Sequence, residues 1–100
     1  MKKIINGKKY DTETAKSLFV WCNNSTGFSH CREELYRKKT GEYFLYGEGG
    51  AMSKYSRSCG DNSWCGGEEI IPMTEANARK WMEEHSDADT FERVFGEVEE

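Results

Sequence analysis

The most reactive side chains in the sequence are four cysteines, Cys22, Cys31, Cys59 and Cys65, and two histidines, His30 and His85. Four thiolates are enough to hold a zinc ion. However, eight residues separate Cys22 from Cys31 and five separate Cys59 from Cys65, whereas structural zinc sites use knuckles with roughly two to four intervening residues. No second histidine stands at a knuckle spacing either. These spacings read as separate thiols, with no metal and no cofactor. A Cys59–Cys65 disulfide requires an oxidising medium. Nucleophilic catalysis would need a cysteine beside a histidine. His30 precedes Cys31, but successive strand residues point to opposite faces. His85 falls at the end of a predicted helix, where an imidazolium suits the dipole. Gly47-Glu48-Gly49-Gly50 lacks the phosphate-loop pattern, and Glu48 would repel phosphate. No two carboxylates follow a pattern for acid–base work. The expectation is a protein that is not an enzyme.

The aromatic and basic residues suggest binding instead. Tyr, Trp and Arg are enriched at interaction hot spots. Tyr36, Tyr43, Phe44, Tyr46, Glu48, Lys54, Tyr55, Arg57 and Trp64 form the candidate partner-binding set. Aromatic and basic residues together also suit single-stranded nucleic acid. The alternative set for that role is Lys2, Lys3, Lys8, Lys9, Arg37, Lys38 and Lys39.

The central element that must position these residues runs from Leu35 to Tyr55. Two aromatic-rich runs, LYRK and EYFLY, flank Lys39-Thr40-Gly41 and predict a β-hairpin closed by glycine at positive φ. With that loop, Lys38 faces Glu42 and Leu35 faces Leu45, while Tyr36, Phe44 and Tyr46 share the opposite face. That face must be covered by a helix or by a partner. Gly47, Gly49 and Gly50 are expected to end the second strand.

Upstream, Asn6-Gly7 predicts a small hairpin to which Ile4 and Tyr10 contribute apolar surface. Asp11 or Thr12 is placed to cap a helical turn. Residues 14–23 read as a strand apolar on both faces, hence central. Residues 23–29 read as a turn. Residues 48–69 are long for a loop in a small domain, and such segments carry function or conceal short strands. Downstream, a strand at Ile70–Met73 precedes two helices. Thr74 caps the first, whose inner face is Ala78, Trp81, Met82 and His85. Ser86 or Asp87 caps the second, with Phe91, Val94, Phe95 and Val98 on its inner face and Gly96 placed to stop it.

The chain of 100 residues predicts one α+β domain: an antiparallel β-sheet of four to five strands with two C-terminal α-helices. Its parts are 1–46, hairpins and sheet; 47–69, a glycine-rich loop region; 70–96, strand and helices; and 97–100, an acidic tail. The net charge of −4 is uneven: residues 1–40 carry nine basic against four acidic residues, and residues 75–100 carry three against nine. One pole is therefore suited to a charged partner. The start Met1-Lys2-Lys3 is followed by only two apolar residues, so no signal peptide is expected. No run approaches the roughly 20 apolar residues of a membrane span. These features predict no membrane contact, a cytoplasmic location in the cell that makes the protein, and reduced thiols.

Three segments carry a resemblance: MKKIINGKKYDTETA at 1–15, ELYRKKTGEYFLYGEGG at 34–50 and IPMTE at 71–75. Together they resemble a family of small phage and mobile-element proteins, over a span from the start to about residue 85. Some similar proteins are described as anti-CRISPR proteins that inhibit Cas9-type effectors. The resemblance transfers no catalytic residue. It implies a non-enzymatic inhibitor whose partner is a CRISPR effector or its guide-RNA complex, with RNA contact as an accessory. The proposed surface is the aromatic hairpin face with the glycine-rich loop. The rival expectation is a small nucleic-acid-binding or regulatory module of a mobile element.

Overall fold

The computed structural model describes residues 1–23, 27–60 and 63–96. The fold is α+β. A four-stranded antiparallel sheet has the order β3-β4-β5-β8, formed by β3 (Lys16–Cys22), β4 (Cys31–Arg37), β5 (Tyr43–Gly49) and β8 (Gly67–Met73). Two small hairpins stand outside it: β1 (Lys2–Ile5) with β2 (Lys8–Asp11), and β6 (Arg57–Gly60) with β7 (Ser63–Cys65). Two helices follow, α1 (Glu75–His85) and α2 (Ala88–Phe95). The expected acidic tail at 97–100 and the expected inward-facing Val98 lie outside the described residues, as does part of the turn at 23–29.

The β4–β5 hairpin has the expected register. Leu35 pairs with Leu45, the Lys38 amide donates to the Glu42 carbonyl, and Gly41 has φ of 95°. Asn6 and Gly7, at φ 51° and 78°, close the first hairpin, as a primed two-residue turn requires. Lys3 pairs with Tyr10 in this hairpin, so Ile5 shares the face of buried Tyr10 while Ile4 is exposed. Ile5, not Ile4, is therefore the isoleucine that packs inward: strand alternation puts it on the Tyr10 side.

Two further expectations are corrected, and a third segment proves to conceal short strands. β3 is an edge strand, not a central one. A register shift between Ser17 and Phe19 interrupts its pairing with β4, and Val20 remains exposed. The glycines do not end β5, which runs through Gly47 to Gly49 because β4 and β8 pair with it on both sides. Residues 57–65 hold β6 and β7, which period-based reading misses because every described residue of both strands is exposed.

The leucine face of the sheet carries the helices. Leu35, Tyr43 and Leu45 pack with Ala78, Trp81, Met82 and Phe91. The Thr74 side chain accepts from the Asn77 amide, and Asp87 does the same for Thr90. Gly96, at φ 92°, ends α2. Thr74→Ala is expected to lower unfolding free energy by about 1 kcal/mol, measurable by urea denaturation, because it leaves the first turn of α1 without that acceptor.

Candidate functional site

The aromatic face of the β4–β5 hairpin is covered, and not by the helices. The β1–β2 hairpin lies over it. Tyr10 meets Phe44 edge-on at 5.5 Å, and Phe44 stacks on Tyr36 at 5.1 Å. Tyr36 and Phe44 are buried there, and Tyr43 is buried under α2 on the other face. Tyr55 is buried as well. These four candidate contact residues belong to the core and offer no surface in this fold. Of the remaining candidates, Trp64, Arg57 and Lys54 are exposed, and Tyr46 and Glu48 are half-buried.

Tyr55 and Lys54 explain how the irregular segment after β5 is held. Glu33 is fully buried on the helix face. Its carboxylate accepts from Lys54 Nζ at 2.7 Å, from Trp81 Nε1 at 3.2 Å and from the Tyr55 hydroxyl. Burial alone would raise the Glu33 pKa, but the hydrogen bonds from Lys54, Tyr55 and Trp81 outweigh it and hold the carboxyl below its usual range. His85 donates from Nδ1 to the Trp81 carbonyl at 2.7 Å, which turns Nε2 toward Glu33 at 3.8 Å. The Tyr55 ring lies over Gly47, where a Cβ would overlap it. One buried carboxylate thus ties β4, α1 and the 54–55 segment together.

That anchor positions the glycine-rich end of the sheet. A cleft of about 570 Å³ opens there, lined by His30, Glu48, Glu68 and the backbone of Gly49, Gly50 and Gly66. Glu48 and Glu68 stand directly opposite on β5 and β8. The Tyr46 hydroxyl lies 2.6 Å from Glu68 and 3.0 Å from Glu48, so its single proton is held between two carboxylates. Burial first, then these carboxylates, push the Tyr46 pKa up. Arg32 reaches Glu48 at 3.8 Å and Glu34 at 2.9 Å. Close in sequence to the lining residues Gly27, Gly50 and Gly66, three large apolar residues are exposed: Phe28 (71%), Met52 (76%) and Trp64 (61%). Phe28 follows cleft-lining Gly27, and its carbonyl accepts from the Met52 amide at 2.6 Å. Trp64 sits on the β6–β7 hairpin, opposite Ser58.

Comparison with protein-family models, with curated proteins and with solved structures found no match.

Cys59 and Cys65 are joined as a disulfide across the β6–β7 hairpin. This corrects the expectation that all four thiols are reduced: the hairpin pairing brings the two sulfurs within bonding reach. Cys22 is an exposed thiol and Cys31 a buried one, whose pKa is raised by burial and then by Glu33. Among the described residues no three His, Cys, Asp or Glu side chains are grouped to hold a metal ion. No helix among them is long and apolar enough to cross a membrane.

The alternative basic set is brought together at the opposite end of the sheet. Lys8, Lys9, Lys38 and Lys39 line one cleft between the first hairpin and the β4–β5 turn. Arg37 joins them in the neighbouring one. Lys2 and Lys3 are exposed on β1 and line neither. Phe28, Met52, Lys16 and Arg93 were not singled out by sequence reasoning. Phe28 and Met52 lie in segments without period, so their exposure had no signal. Lys16 and Arg93 join the basic end only through tertiary packing.

Proposed function

We propose that this protein is a non-enzymatic inhibitor that binds a Cas9-type CRISPR effector or its guide-RNA complex. The observation that carries this reading is the exposed trio Phe28, Met52 and Trp64, close in sequence to the lining of a cleft that holds two opposed carboxylates. Single exposed apolar residues are ordinary; three large ones on the segments that build one acidic cleft have the make-up of a hot spot. Carboxylates such as Glu48 and Glu68 offer arginine and lysine side chains an alternative to phosphate, and a nucleic-acid channel is lined with such cations. The resemblance of the three sequence segments to mobile-element proteins supplies the partner class. The reading moves the contact surface from the buried aromatic face to the glycine-rich end, keeping Trp64, Arg57, Glu48 and Tyr46.

Inhibition of such an effector takes place in the bacterial cytoplasm, where glutathione and thioredoxin reduce exposed disulfides. Cys59 and Cys65 are both exposed, so the disulfide of the hairpin carrying Trp64 is open to reduction there.

The test is target cleavage by a Cas9-type effector loaded with guide RNA, with and without this protein, alongside a pull-down. Inhibition is expected, and Trp64→Ala is expected to weaken it about 30-fold, the effect of losing a hot-spot side chain worth about 2 kcal/mol. No complex and unaffected cleavage would sink the reading.

A further inference from the structure

Three clefts at the β4–β5 turn end of the sheet share their cationic walls. The first, about 350 Å³, holds Lys8, Lys9, Lys38 and Lys39. The second, about 370 Å³, holds Lys38, Lys39, Lys16 and Arg37. The third, about 320 Å³, holds Lys16, Arg37 and Arg93. Each passes two cations to the next, so they form one continuous track from the first hairpin across the sheet edge to α2. Two acidic residues line it, Asp11 and Glu42.

Some of these cations are already engaged. Lys8 and Lys38 reach Glu42 at 3.4 and 3.7 Å. Lys38 also sits 3.6 Å above the Tyr10 ring, and Arg37 lies 5.6 Å from the Tyr43 ring centre. Among the described residues no carboxylate pairs with Lys9, Lys16 or Lys39, and all three are exposed. Like charges outnumber the two carboxylates along this track, a cost that a bound polyanion relieves.

Arg93, at the α2 end of the track, interacts electrostatically with Asp87 at the cap of that helix, so this end is partly compensated.

We propose that this track binds the phosphodiester backbone of single-stranded RNA. Its clefts are at the small end of ligand sites, enough for the sugar and phosphate of one strand and too small for a duplex. No exposed aromatic residue lines it, so bases do not stack there and binding is independent of sequence. The inference does not require the effector reading. It uses the other end of the sheet and is tested on the isolated protein, so either can fail alone.

The test is fluorescence anisotropy of a labelled single-stranded RNA of mixed sequence, titrated with protein at several salt concentrations. With Lys9, Lys16, Arg37 and Lys39 each neutralising one phosphate, log K is expected to fall with log salt at a slope of about −3, from about −0.7 per contact. The double substitution Lys9→Ala with Lys39→Ala is expected to make that slope shallower by about 1.4. Both side chains are exposed, so circular dichroism should be unchanged. Lys80→Ala, an exposed cation of α1 away from the track, is expected to leave the slope unchanged. No binding at low salt, an unchanged slope in the double variant, or an equal effect of Lys80→Ala would overturn the proposal, as would tighter binding of duplex DNA.

Discussion

Replacing Glu33 with alanine is expected to destabilise the protein by about 3–5 kcal/mol, the range for breaking a buried charged pair. The largest part does not come from Lys54. Its side chain is 61% exposed and returns to water once its partner is gone. The cost lies in the Tyr55 hydroxyl and the Trp81 indole N–H, which lose their acceptor in a buried place. Each such orphaned donor costs about 1–3 kcal/mol, and the vacated carboxylate volume adds a cavity. Urea denaturation followed by tryptophan fluorescence measures the loss. A value under about 1 kcal/mol would mean that Glu33 is not the tie between β4, α1 and the 54–55 segment. Because that segment leads into the Trp64 hairpin, Glu33→Ala is also expected to weaken partner binding without altering the binding surface itself.

The same carboxylate sets the acid limb of the stability profile. Its folded pKa is depressed, so the stability it contributes is complete above its unfolded value of about 4.3 and is lost as pH falls through the folded value. The buried tyrosines set the alkaline limb. Tyr36 is pushed up to about 12 by burial and then by Glu34, and Tyr55 is raised by burial and then by Glu33. With raised folded values, both leave stability intact below the unfolded value of about 10 and lower it as pH rises past that point. The buried Cys31 thiol, raised by burial and then by Glu33, begins the alkaline decline earlier, past its unfolded value of about 8.5, so stability is expected to be flat only between the acid limb and that point, with a shallower acid limb in Glu33→Ala.

Local signals made much of the fold legible. The Asn6-Gly7 and Lys39-Thr40-Gly41 turns, the Thr74 cap, the inner face of α1 and the stop at Gly96 depend on residues near one another in the chain, where φ preference, capping and period act. What failed was whatever depended on which surface covers which. Leu35 and Tyr36 face opposite sides of one strand, and sequence alone could place both sides correctly. It could not tell that the helices would take the leucine side and the Tyr10 hairpin the aromatic side, which turned Tyr36, Tyr43 and Phe44 from candidate contacts into core. Glu33 shows the same limit. Its three donors come from residues 54, 55 and 81, and nothing around position 33 signals a buried carboxylate. Trp64, Arg57, Lys8, Lys9 and Lys39 are exposed on short hairpins or in a hairpin turn, where there is little room to bury a side chain.

Gly47 is the position where these two levels meet, and Gly47→Ala is expected to cost about 3–5 kcal/mol. As a strand residue, glycine is unfavourable there: alanine alone would be worth roughly 0.5–1 kcal/mol of stabilisation. The opposite sign is expected because the Tyr55 ring occupies the space a Cβ needs. Neither partner can give way cheaply. Gly47 is paired to Glu33 on β4 and to Glu69 on β8, and Tyr55 is held through its hydroxyl by the Glu33 carboxylate. Overpacking of this kind costs about 1–3 kcal/mol. Displacing the ring then orphans a buried acceptor position on Glu33 at about 1–3 kcal/mol more. A double-mutant cycle separates this from a general dislike of substitution in β5. In a Tyr55→Ala background the ring is absent, and Gly47→Ala is expected to be neutral or mildly stabilising. The resulting coupling, larger than 2 kcal/mol, falls in the range of residues in direct contact. Additive effects of the two substitutions, within about 0.5 kcal/mol, would show that the ring does not rest on Gly47. Glycine at 47 would then have no role in seating the segment that carries Trp64.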